Sequence, residues 1–527
     1  MRRLPFAIAI ALMGVVVSCG FVAKPAAAAP PLTHGSARDP LALLAVQQAE
    51  FTASDATAYD FGYSVALDGD TALVGAAGQT VNGHLWEGAA YVFVRSGTRW
   101  SQQAELSDPN AAEQDVFGRS VALSGDTALI GAEGTRVNGL NYVGSAYIFV
   151  RSGASWSEEA ELVDPDPQSV ENFGWSVALD GGTALIGAVN KSVGGQADAG
   201  ATYVFTRSGT SWPLQAELTA SHAAEDDYLG NSVALSGDTA LVGAVGGAGS
   251  AYVFTRSGAS WSRQAKLTAS DAAAGDDFGF SVALSGDTAL VGADQHTVSG
   301  RGWAGSAYVF TRSGVSWSQR AELTATDVTP GAMFGSSVAL SGDRALIGAD
   351  WNNLGIQAGA GAAYVFGGSG ASWSPPAELT ATGGALGDEF GVSVALSGDT
   401  ALVGGSTSRT VGGRGAAEAA CVDLLGSLPT AAPSLSLKAS ARSVKVGRSI
   451  VITGVVRNFL ATQGMVGIRR TVAGKPPVLR KLTMTTSGTF RWRTKVGKAG
   501  RWVFVASYKL GDVTAYTSRP VTVVVHK

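Results

Sequence analysis

The sequence predicts an all-β protein: a seven-bladed β-propeller closed by an N-terminal outer strand, followed by a small β-sandwich. Three observations predict this fold class. The string F-G-x-S-V-A-L recurs along the chain, each copy contains four β-rich segments separated by Gly turns, and the N-terminus carries a segment that the last copy lacks. Glycine accounts for 70 of the 527 residues and charged residues for only 15%, which fits short buried strands joined by tight turns.

Residues 1–29 have the pattern of a secretory signal peptide. Arg2 and Arg3 precede an apolar run at residues 4–18, and small residues follow at 26–29. The apolar run is shorter than a membrane-spanning helix needs, so we expect export, to the extracellular space or the cell surface. Residues 16–18 before Cys19 resemble a bacterial lipobox, in which Cys19 carries a lipid, and cleavage near Ala28 or Ala29 is the alternative. Cys421 is the only other cysteine, so a disulfide framework is excluded.

Seven copies of one unit occupy residues 41–428, after a spacer at residues 30–40. Their first glycines are Gly62, Gly118, Gly174, Gly230, Gly279, Gly335 and Gly391, 56 residues apart except for one step of 49. A period of this length that holds four strands is typical of a propeller blade. The seventh copy ends after its third segment, near Cys421, and residues 47–52 match the missing fourth one. We therefore expect the N-terminal segment to close the ring, which removes exposed sheet edges.

These copies resemble the FG-GAP repeat, the unit of integrin-α-type propellers, as in the stretch from Phe117-Gly118 to Gly131-Ala132. The resemblance implies a propeller with diverse binding functions. Many members of that family carry a D-x-D-x-D-G calcium loop between the first two strands of a blade. Here the loop is cut to turns such as Asp68-Gly69-Asp70. Because Ca²⁺ takes about six to eight oxygen ligands, we expect no calcium at these turns, and we expect no cofactor.

Hairpin connectivity divides the propeller into two faces. The turn face carries the first-to-second and third-to-fourth turns, which repeat S-G-D-T and R-S-G-x-x-W almost unchanged, and the Trp of the second motif is expected to anchor the outer strand by packing. The loop face carries the second-to-third loops and the links between blades, which vary between copies. Varied loops on a rigid scaffold are common binding sites.

The loop face and the channel mouth therefore supply the candidate ligand-binding residues. Trp175 is a candidate because it follows F-G and is expected at the mouth of the central channel. All of the candidates are His84, Trp86, Asn141, Tyr142, Trp175, Arg301, Trp303, Trp351 and Asn352. Exposed aromatics beside amides stack on sugars or anchor protein interfaces. The alternative is that each aromatic residue packs on a neighbouring blade.

The links between blades are acidic, as at Asp271, Asp276 and Asp277. These carboxylates predict a solvated rim, and weak Ca²⁺ binding or a basic partner is the alternative. His84, His222 and His296 lie on different loops, and no H-x-x-x-H, G-x-S-x-G or phosphate-loop motif occurs in a suitable context. The sequence therefore predicts no metal site and no enzymatic activity.

After a linker at residues 429–434 the composition changes. Residues 430–527 hold 18 Lys/Arg and one acidic residue, a charge of +17, whereas residues 1–429 hold 20 Lys/Arg and 41 Asp/Glu, a charge of −21; together they give the net −4. Seven short strands are predicted in residues 435–527, which resemble the Ig-like modules of exported bacterial proteins. Arg491, Arg493 and Lys495 alternate with Phe490, Trp492 and Thr494, so the charges are expected on one sheet face.

This excess of positive charge favours attachment to an anionic surface polymer. The candidate residues are Arg469, Arg470, Arg480, Lys481, Arg491, Arg493 and Lys495. Docking onto the acidic propeller is an alternative, and export disfavours nucleic acid. Together the sequence predicts an exported, non-enzymatic binding or adhesion-type protein whose propeller engages an extracellular protein or glycan. Two alternatives remain: a polysaccharide-processing enzyme that acts at the propeller mouth, or a purely structural surface component.

Overall fold

A computed structural model describes most of the repeat region and the strands that follow it. The described residues are 44–53, 60–81, 83–97, 99–221, 223–325, 327–353, 359–381, 387–406, 419–425, 434–440, 443–446, 448–457, 465–472, 475–482, 489–495, 500–510, 513–517 and 521–526. The predicted signal peptide with Cys19, the linker and His222 lie outside these residues. Within the described part of the chain, no helix is long and apolar enough to cross a membrane.

Six antiparallel sheets are each built from consecutive strands of one repeat in the described part of the chain. The first three repeats contain β2 (Phe61–Asp68), β3 (Thr71–Ala76), β4 (Ala89–Ser96), β5 (Arg99–Leu106), β6 (Phe117–Ser124), β7 (Thr127–Ala132), β8 (Ser145–Ser152), β9 (Ser155–Leu162), β10 (Phe173–Asp180), β11 (Thr183–Ala188), β12 (Ala201–Thr206) and β13 (Leu214–Leu218). The next three contain β14 (Val233–Ser236), β15 (Thr239–Ala244), β16 (Ser250–Ser257), β17 (Ser260–Leu267), β18 (Val282–Ser285), β19 (Thr288–Ala293), β20 (Ser306–Ser313), β21 (Ser316–Leu323), β22 (Val338–Ser341), β23 (Arg344–Ala349), β24 (Ala362–Ser369), β25 (Ser372–Trp373) and β26 (Ala377–Leu379). Pro375 and Pro376 separate β25 from β26, since proline cannot donate to the ladder.

The seventh repeat supplies only three strands, β27 (Ser393–Ser397), β28 (Thr400–Gly404) and β29 (Ala419–Leu425), and the N-terminal strand β1 (Leu44–Phe51) completes their sheet. The β1 strand runs antiparallel to β29, with Gln47 opposite Val422 and Phe51 opposite Ala419. The segment that matches the missing strand in sequence therefore takes its place in the sheet.

The second and third strands of each repeat form the core. All six residues of β3, β7 and β11 are buried, because these strands have neighbouring sheets on both sides. Aromatic rings fill the space between sheets: the Phe117 ring centroid lies 5.4 Å from that of Tyr147 and 6.1 Å from that of Phe149. At Gly75 the sheets come so close that a Cβ atom would lie 2.1 Å from the carbonyl oxygen of Gly118. Small residues at this position therefore set the spacing between sheets.

One hydrogen bond recurs between every pair of neighbouring repeats. The Ser hydroxyl of F-G-x-S donates to the carbonyl oxygen of the first glycine in the next repeat, over 2.6–2.9 Å. The series begins with Ser64 and Gly118 and ends where Ser393 donates to Gly62 in the first repeat. The predicted all-β propeller is confirmed.

The basic C-terminal part forms nine strands in two sheets among the described residues. The strands are β30 (Ser434–Ala439), β31 (Ser443–Lys445), β32 (Ser449–Arg457), β33 (Met465–Val472), β34 (Lys475–Leu482), β35 (Thr489–Lys495), β36 (Gly500–Leu510), β37 (Val513–Thr517) and β38 (Val521–His526). One sheet has the order β30-β32-β35, and the other has β31-β38-β36-β33-β34 with β37 paired to β36. The sequence did not predict β31 or β37, which are short, and the Ig-like assignment stays a prediction.

Candidate functional site

An Arg–Asp pair recurs on the turn face. In four repeats the Arg of R-S-G donates from Nε to the Asp of the neighbouring S-G-D or D-G-D turn over 2.6–2.7 Å; the pairs are Arg95–Asp70, Arg151–Asp126, Arg256–Asp238 and Arg312–Asp287. The third repeat has Gly182 in place of the Asp, and there Arg207 contacts Glu159 of the preceding repeat at 2.6 Å. The carboxylates that a calcium loop would use thus bind guanidinium groups.

The same arginines tie each repeat to the one before it. Arg151 donates from Nη1 to the hydroxyl oxygen of Thr71 at 3.1 Å, and its guanidinium carbon lies 5.5 Å from the ring centroid of Trp156. Trp156 in turn donates its indole N–H to Gln103 of the preceding repeat at 2.9 Å. These Trp residues act as the sequence indicated, by holding the outer strand against its neighbour.

The loop face presents large aromatic side chains to solvent. Trp86, Tyr142 and Trp303 occupy the same position in three repeats, two residues before the glycine that precedes the third strand. All three have left-handed backbone conformations, with φ of 60°, 52° and 55°. The main chain at this position is fixed, since the carbonyls of Trp86 and Trp303 accept hydrogen bonds from Val116 and Met333 in the following link. The rings are 51%, 42% and 57% exposed.

Asn141 and Tyr142 line a cavity of about 290 Å³ on this face, together with Glu113, Gln114 and Arg136. The Tyr142 hydroxyl donates to Gln114 at 2.8 Å, and the Asn141 side-chain oxygen accepts from Arg136 at 2.8 Å. This cavity joins two of the residues that the sequence singled out.

The remaining loop candidates differ in placement. Trp351 is half exposed, and Arg301 is exposed. His84 is exposed and contacts the buried Glu87 at 3.1 Å. Asn352 corrects the expectation of a surface residue: it is only 2% exposed, because its amide donates to the Tyr364 hydroxyl at 2.9 Å and its oxygen accepts from Thr329.

The channel mouth is a cavity of about 330 Å³. It is lined by the residue after F-G in all seven repeats: Tyr63, Arg119, Trp175, Asn231, Phe280, Ser336 and Val392. The Arg119 guanidinium lies between two of these rings, 4.5 Å from the centroid of Tyr63 and 4.4 Å from that of Trp175. Its Nε also contacts Glu133 at 3.2 Å. Trp175 therefore lines the mouth and packs against the neighbouring repeat at the same time.

Buried carboxyl groups gather beside this cavity. Burial raises the pKa of Asp294 to about 8, and the nearby Asp277 and Asp350 add to the shift. Burial likewise raises the pKa of Asp350, which lines the cavity, to about 6. The pKa of Glu389 is raised to about 7 by burial, with contributions from Asp350 and Asp60. Asp277 is one of the link acids that the sequence singled out, and Asp60 and Glu389 also lie in links between blades. Asp294 and Asp350, which follow the second strand of their repeats, were not predicted.

A second cluster lies in the fifth repeat and was not predicted. His296, Asp271 and Glu322 bring one nitrogen and two carboxylate oxygens within 4.8 Å of one another, the one such group found among the described residues. The sequence shows His296 on a loop by itself, because its partners lie 25 residues before it and 26 after it. Aligning the repeats with one another gives the signal that was missed, since Lys191 stands at the position of His296 in the third repeat.

In the C-terminal part, Arg491, Arg493 and Lys495 are exposed, whereas Trp492 and Thr494 are partly buried. Trp492 packs edge-on against the buried Phe504, with ring centroids 5.8 Å apart. The alternation that the sequence predicted for β35 is therefore confirmed. Arg469 and Arg470 lie on β33, and Arg480 and Lys481 lie on the paired strand β34, where Arg480 is opposite Ile468.

The comparisons with known proteins agree with the repeat pattern. The FG-GAP repeat model matches seven segments, residues 45–93, 100–149, 156–205, 212–254, 261–310, 317–366 and 373–417. A search of curated proteins found no significant match. The matched segments cover more than half of the sequence, and each begins in or just before the outer strand of one sheet and extends through at least the first two strands of the next repeat. The chain belongs to the FG-GAP repeat family.

Proposed function

We propose that this protein is an exported, non-enzymatic binding protein whose loop face engages an extracellular protein or glycan. An FG-GAP propeller indicates a binding or adhesion-type function in general. The observation that carries the finer proposal is the set of half-exposed aromatic residues on the loop face, Trp86, Tyr142, Trp303 and Trp351. Exposed aromatic residues are unfavourable in water and are enriched at the energetic centres of interfaces.

The scaffold that we propose is a closed seven-bladed ring, with β1 as the outer strand of the last blade. The pairing of β1 with β29 and the hydrogen bond from Ser393 to Gly62 support closure. A closed ring holds the loops at fixed spacing, so that several aromatic residues meet a large ligand together. In this proposal the binding needs no cofactor, and the pairing of four of the turn Asp residues with arginine supports this, because it leaves them less available to a cation.

A glycan array and a pull-down from extracellular extracts, both with the full chain, test the ligand proposal. The double variant Trp86→Ala/Trp303→Ala is expected to lose binding by about thirtyfold or more, since a single anchor residue contributes about 2 kcal/mol. Val315→Ala is the matched control, because Val315 is 75% exposed but lies on the turn face. Binding that survives the double variant, or that falls equally in the control, would contradict the proposal. Hydrolysis of any array glycan would favour the enzymatic alternative.

The basic C-terminal part, which we propose to be an Ig-like sandwich, associates with an anionic surface polymer. The exposed Arg491, Arg493 and Lys495 on one strand support this. Binding of the full chain to dextran sulfate is expected to weaken steeply as salt rises, because counterions compete for the same charges. The triple variant Arg491→Gln/Arg493→Gln/Lys495→Gln should reduce that dependence. Binding that is insensitive to salt would contradict an electrostatic attachment.

A further inference from the structure

The third and fifth repeats share one turn, which follows their second strands. In the third repeat Lys191 donates its backbone N–H to Ala188 and accepts at its carbonyl from Gly200. In the fifth repeat His296 makes the same two hydrogen bonds, with Ala293 and Gly305. The two side chains therefore start from equivalent positions on the loop face, and the chain provides an internal comparison.

In the third repeat a lysine neutralises carboxylates of the preceding link. The Lys191 ammonium binds Asp164 and lies 3.0 Å from Glu171, and both acidic side chains are buried. The Tyr203 hydroxyl donates to Asp164 at 2.6 Å. Glu217, which pairs with Tyr203 as Glu322 pairs with Tyr308, adds a third carboxylate near Lys191, so one ammonium group serves the acids of the third repeat.

In the fifth repeat a histidine takes the place of this lysine beside a similar set of carboxylates. Its Nδ1 lies 3.0 Å from Asp276, and its Nε2 lies 3.8 Å from Asp271. Glu322 is the third carboxylate, and its Oε1 accepts from the Ser306 hydroxyl at 2.8 Å. In the described part of the chain, no lysine or arginine forms an ion pair with these three acids. Asp271 and Glu322 are exposed, so their carboxylates are open to a cation from solution, and the imidazole offers a nitrogen ligand where the third repeat has a fixed ammonium charge.

The hydroxyl of a buried tyrosine in the same cluster is a second observation that favours a bound ligand. The Tyr308 side chain is fully buried, and its hydroxyl lies near Asp271 and Glu322 without a well-formed hydrogen bond to any described residue. The equivalent hydroxyls of Tyr147, Tyr203 and Tyr364 in other repeats all have a partner. A buried hydroxyl without a partner is costly, typically about 1–3 kcal/mol.

We propose that Asp271, His296 and Glu322 bind a divalent first-row transition metal ion such as Zn²⁺. One imidazole nitrogen and two carboxylates are a ligand set that zinc accepts, with a water in the fourth position. Asp276 acts on Nδ1 as an orienting group: it fixes the proton there and turns the Nε2 lone pair toward Asp271 and Glu322. The water gives the Tyr308 hydroxyl its partner.

The nitrogen ligand separates this site from a calcium site. Ca²⁺ takes only oxygen ligands and several of them, whereas imidazole favours zinc, copper or nickel. The inference goes beyond the proposed function, and it departs from the sequence-based expectation of a chain without metal. That expectation rested on the shortened turns and on the scatter of the histidines over different loops, and the proposed site would correct the second of these grounds.

Calorimetric titration of the EDTA-treated, dialysed full chain with ZnCl₂ tests the proposal. We expect one Zn²⁺ per chain with a micromolar dissociation constant, and Co²⁺ should produce visible absorption bands that report the coordination. His296→Lys copies the third repeat, so its ammonium should replace the metal, and both the heat and the Co²⁺ bands should disappear. Asp276→Asn should weaken binding by about tenfold, as the loss of an orienting group does.

Glu322→Gln and Glu161→Gln form the matched pair. Glu161 accepts from the Ser145 hydroxyl in the second repeat as Glu322 does from Ser306, but it has no histidine in its cluster. Glu322→Gln should weaken Zn²⁺ binding more than Asp276→Asn does, and Glu161→Gln should leave it unchanged. An absence of binding at millimolar Zn²⁺, or equal binding by wild type and His296→Lys, would overturn the proposal. Failure of the glycan and pull-down assays would leave this result unaffected, because the titration needs no other ligand.

Discussion

The turn face and the loop face of the propeller differ in how completely their polar side chains are paired. On the turn face each Arg of R-S-G bonds to a carboxylate, and four of the five also bond to a threonine hydroxyl in the preceding repeat. On the loop face the polar groups are less well matched: within the described part of the chain, Asp294 and Asp350 each keep one buried carboxylate oxygen without a partner. The same face holds aromatic residues in left-handed backbone conformations, which are unfavourable for side chains of that size.

This difference separates stability from binding within one fold. The turn face has nearly the same sequence in each repeat because its side chains bond to those of the neighbouring repeat. A substitution in one repeat therefore calls for a compensating substitution in the next. The loop face has unpaired acids, strained aromatic residues and loops of different length, features that concentrate where a protein meets a ligand. Three changes test how sharply the two roles are divided.

The largest effect is expected from pH on the loop face. The pKa of Asp294 is raised to about 8 and that of Glu389 to about 7, so the folded protein keeps protons that the unfolded chain releases near pH 4. The stability contributed by this cluster is therefore full below about pH 4 and is lost as pH rises toward 8. Each retained proton lowers the free energy of unfolding by up to about 1.4 kcal/mol per pH unit. Chemical denaturation between pH 5 and pH 9 measures this slope.

Asp294→Asn removes the titration of one carboxyl group and leaves that of the others in the cluster. Those others are Asp60, Asp277, Asp350 and Glu389. The amide has nearly the same shape and carries no charge, so the variant should gain stability over wild type as pH rises. On the turn face Asp126→Asn is the control, because this carboxylate already binds Arg151, and its effect should not grow with pH in this range. If the free energy of unfolding of the Asp294 variant depends on pH as steeply as that of the wild type, the pH dependence arises from other groups.

A smaller effect is expected from the one arginine that changes position on the turn face. The strand registers show which residues are equivalent to Arg95 of the first repeat. They are Gly368 in the sixth repeat and Leu424 in the seventh. Arg344, at the usual threonine position of the sixth repeat, contacts Asp399 of the seventh at 2.8 Å. Arg344→Thr should lower the free energy of unfolding by about 1 kcal/mol, since the Asp399 carboxylate is largely exposed.

Restoring the arginine at its usual position tests whether the pair is a compensation. In the Arg344→Thr background, Leu424→Arg should recover part of the lost stability, because Asp399 and the introduced threonine then have the partner found in other repeats. Leu424→Arg in the wild type should give no gain, since Asp399 is already paired. The thermal unfolding midpoints of the wild type, the two single variants and the double variant measure the coupling. Additive effects would mean that the two positions are independent.

The sequence predicted the fold because the repeat itself encodes it. Three elements recur at fixed spacing: Gly75 and its equivalents, and the Phe and the Ser of F-G-x-S. Each has one structural role in the copies of the repeat. The rim aromatics were also predictable, since they are what differs between copies. The His296 cluster and Asp350 were not, because their roles depend on which links fold against the turn after the second strand. A buried Asn352 was mistaken for a surface residue for the same reason: its partners, Thr329 and Tyr364, come from other segments.

The smallest effect is also the most direct test of the division between faces. Trp303 has φ of 55° and its ring is 57% exposed, so it contributes little packing while its backbone is strained. Asparagine tolerates this conformation, and Trp303→Asn should raise the free energy of unfolding by about 0.5 kcal/mol. Tyr142→Asn should show no such gain, because the strain relieved is offset by the lost hydrogen bond to Gln114. If Trp303→Asn instead destabilises the protein by more than about 1 kcal/mol, the indole holds the rim together and the loop face is structural at that position. A gain in stability accompanied by a loss of ligand binding would mean that Trp303 is retained for binding alone.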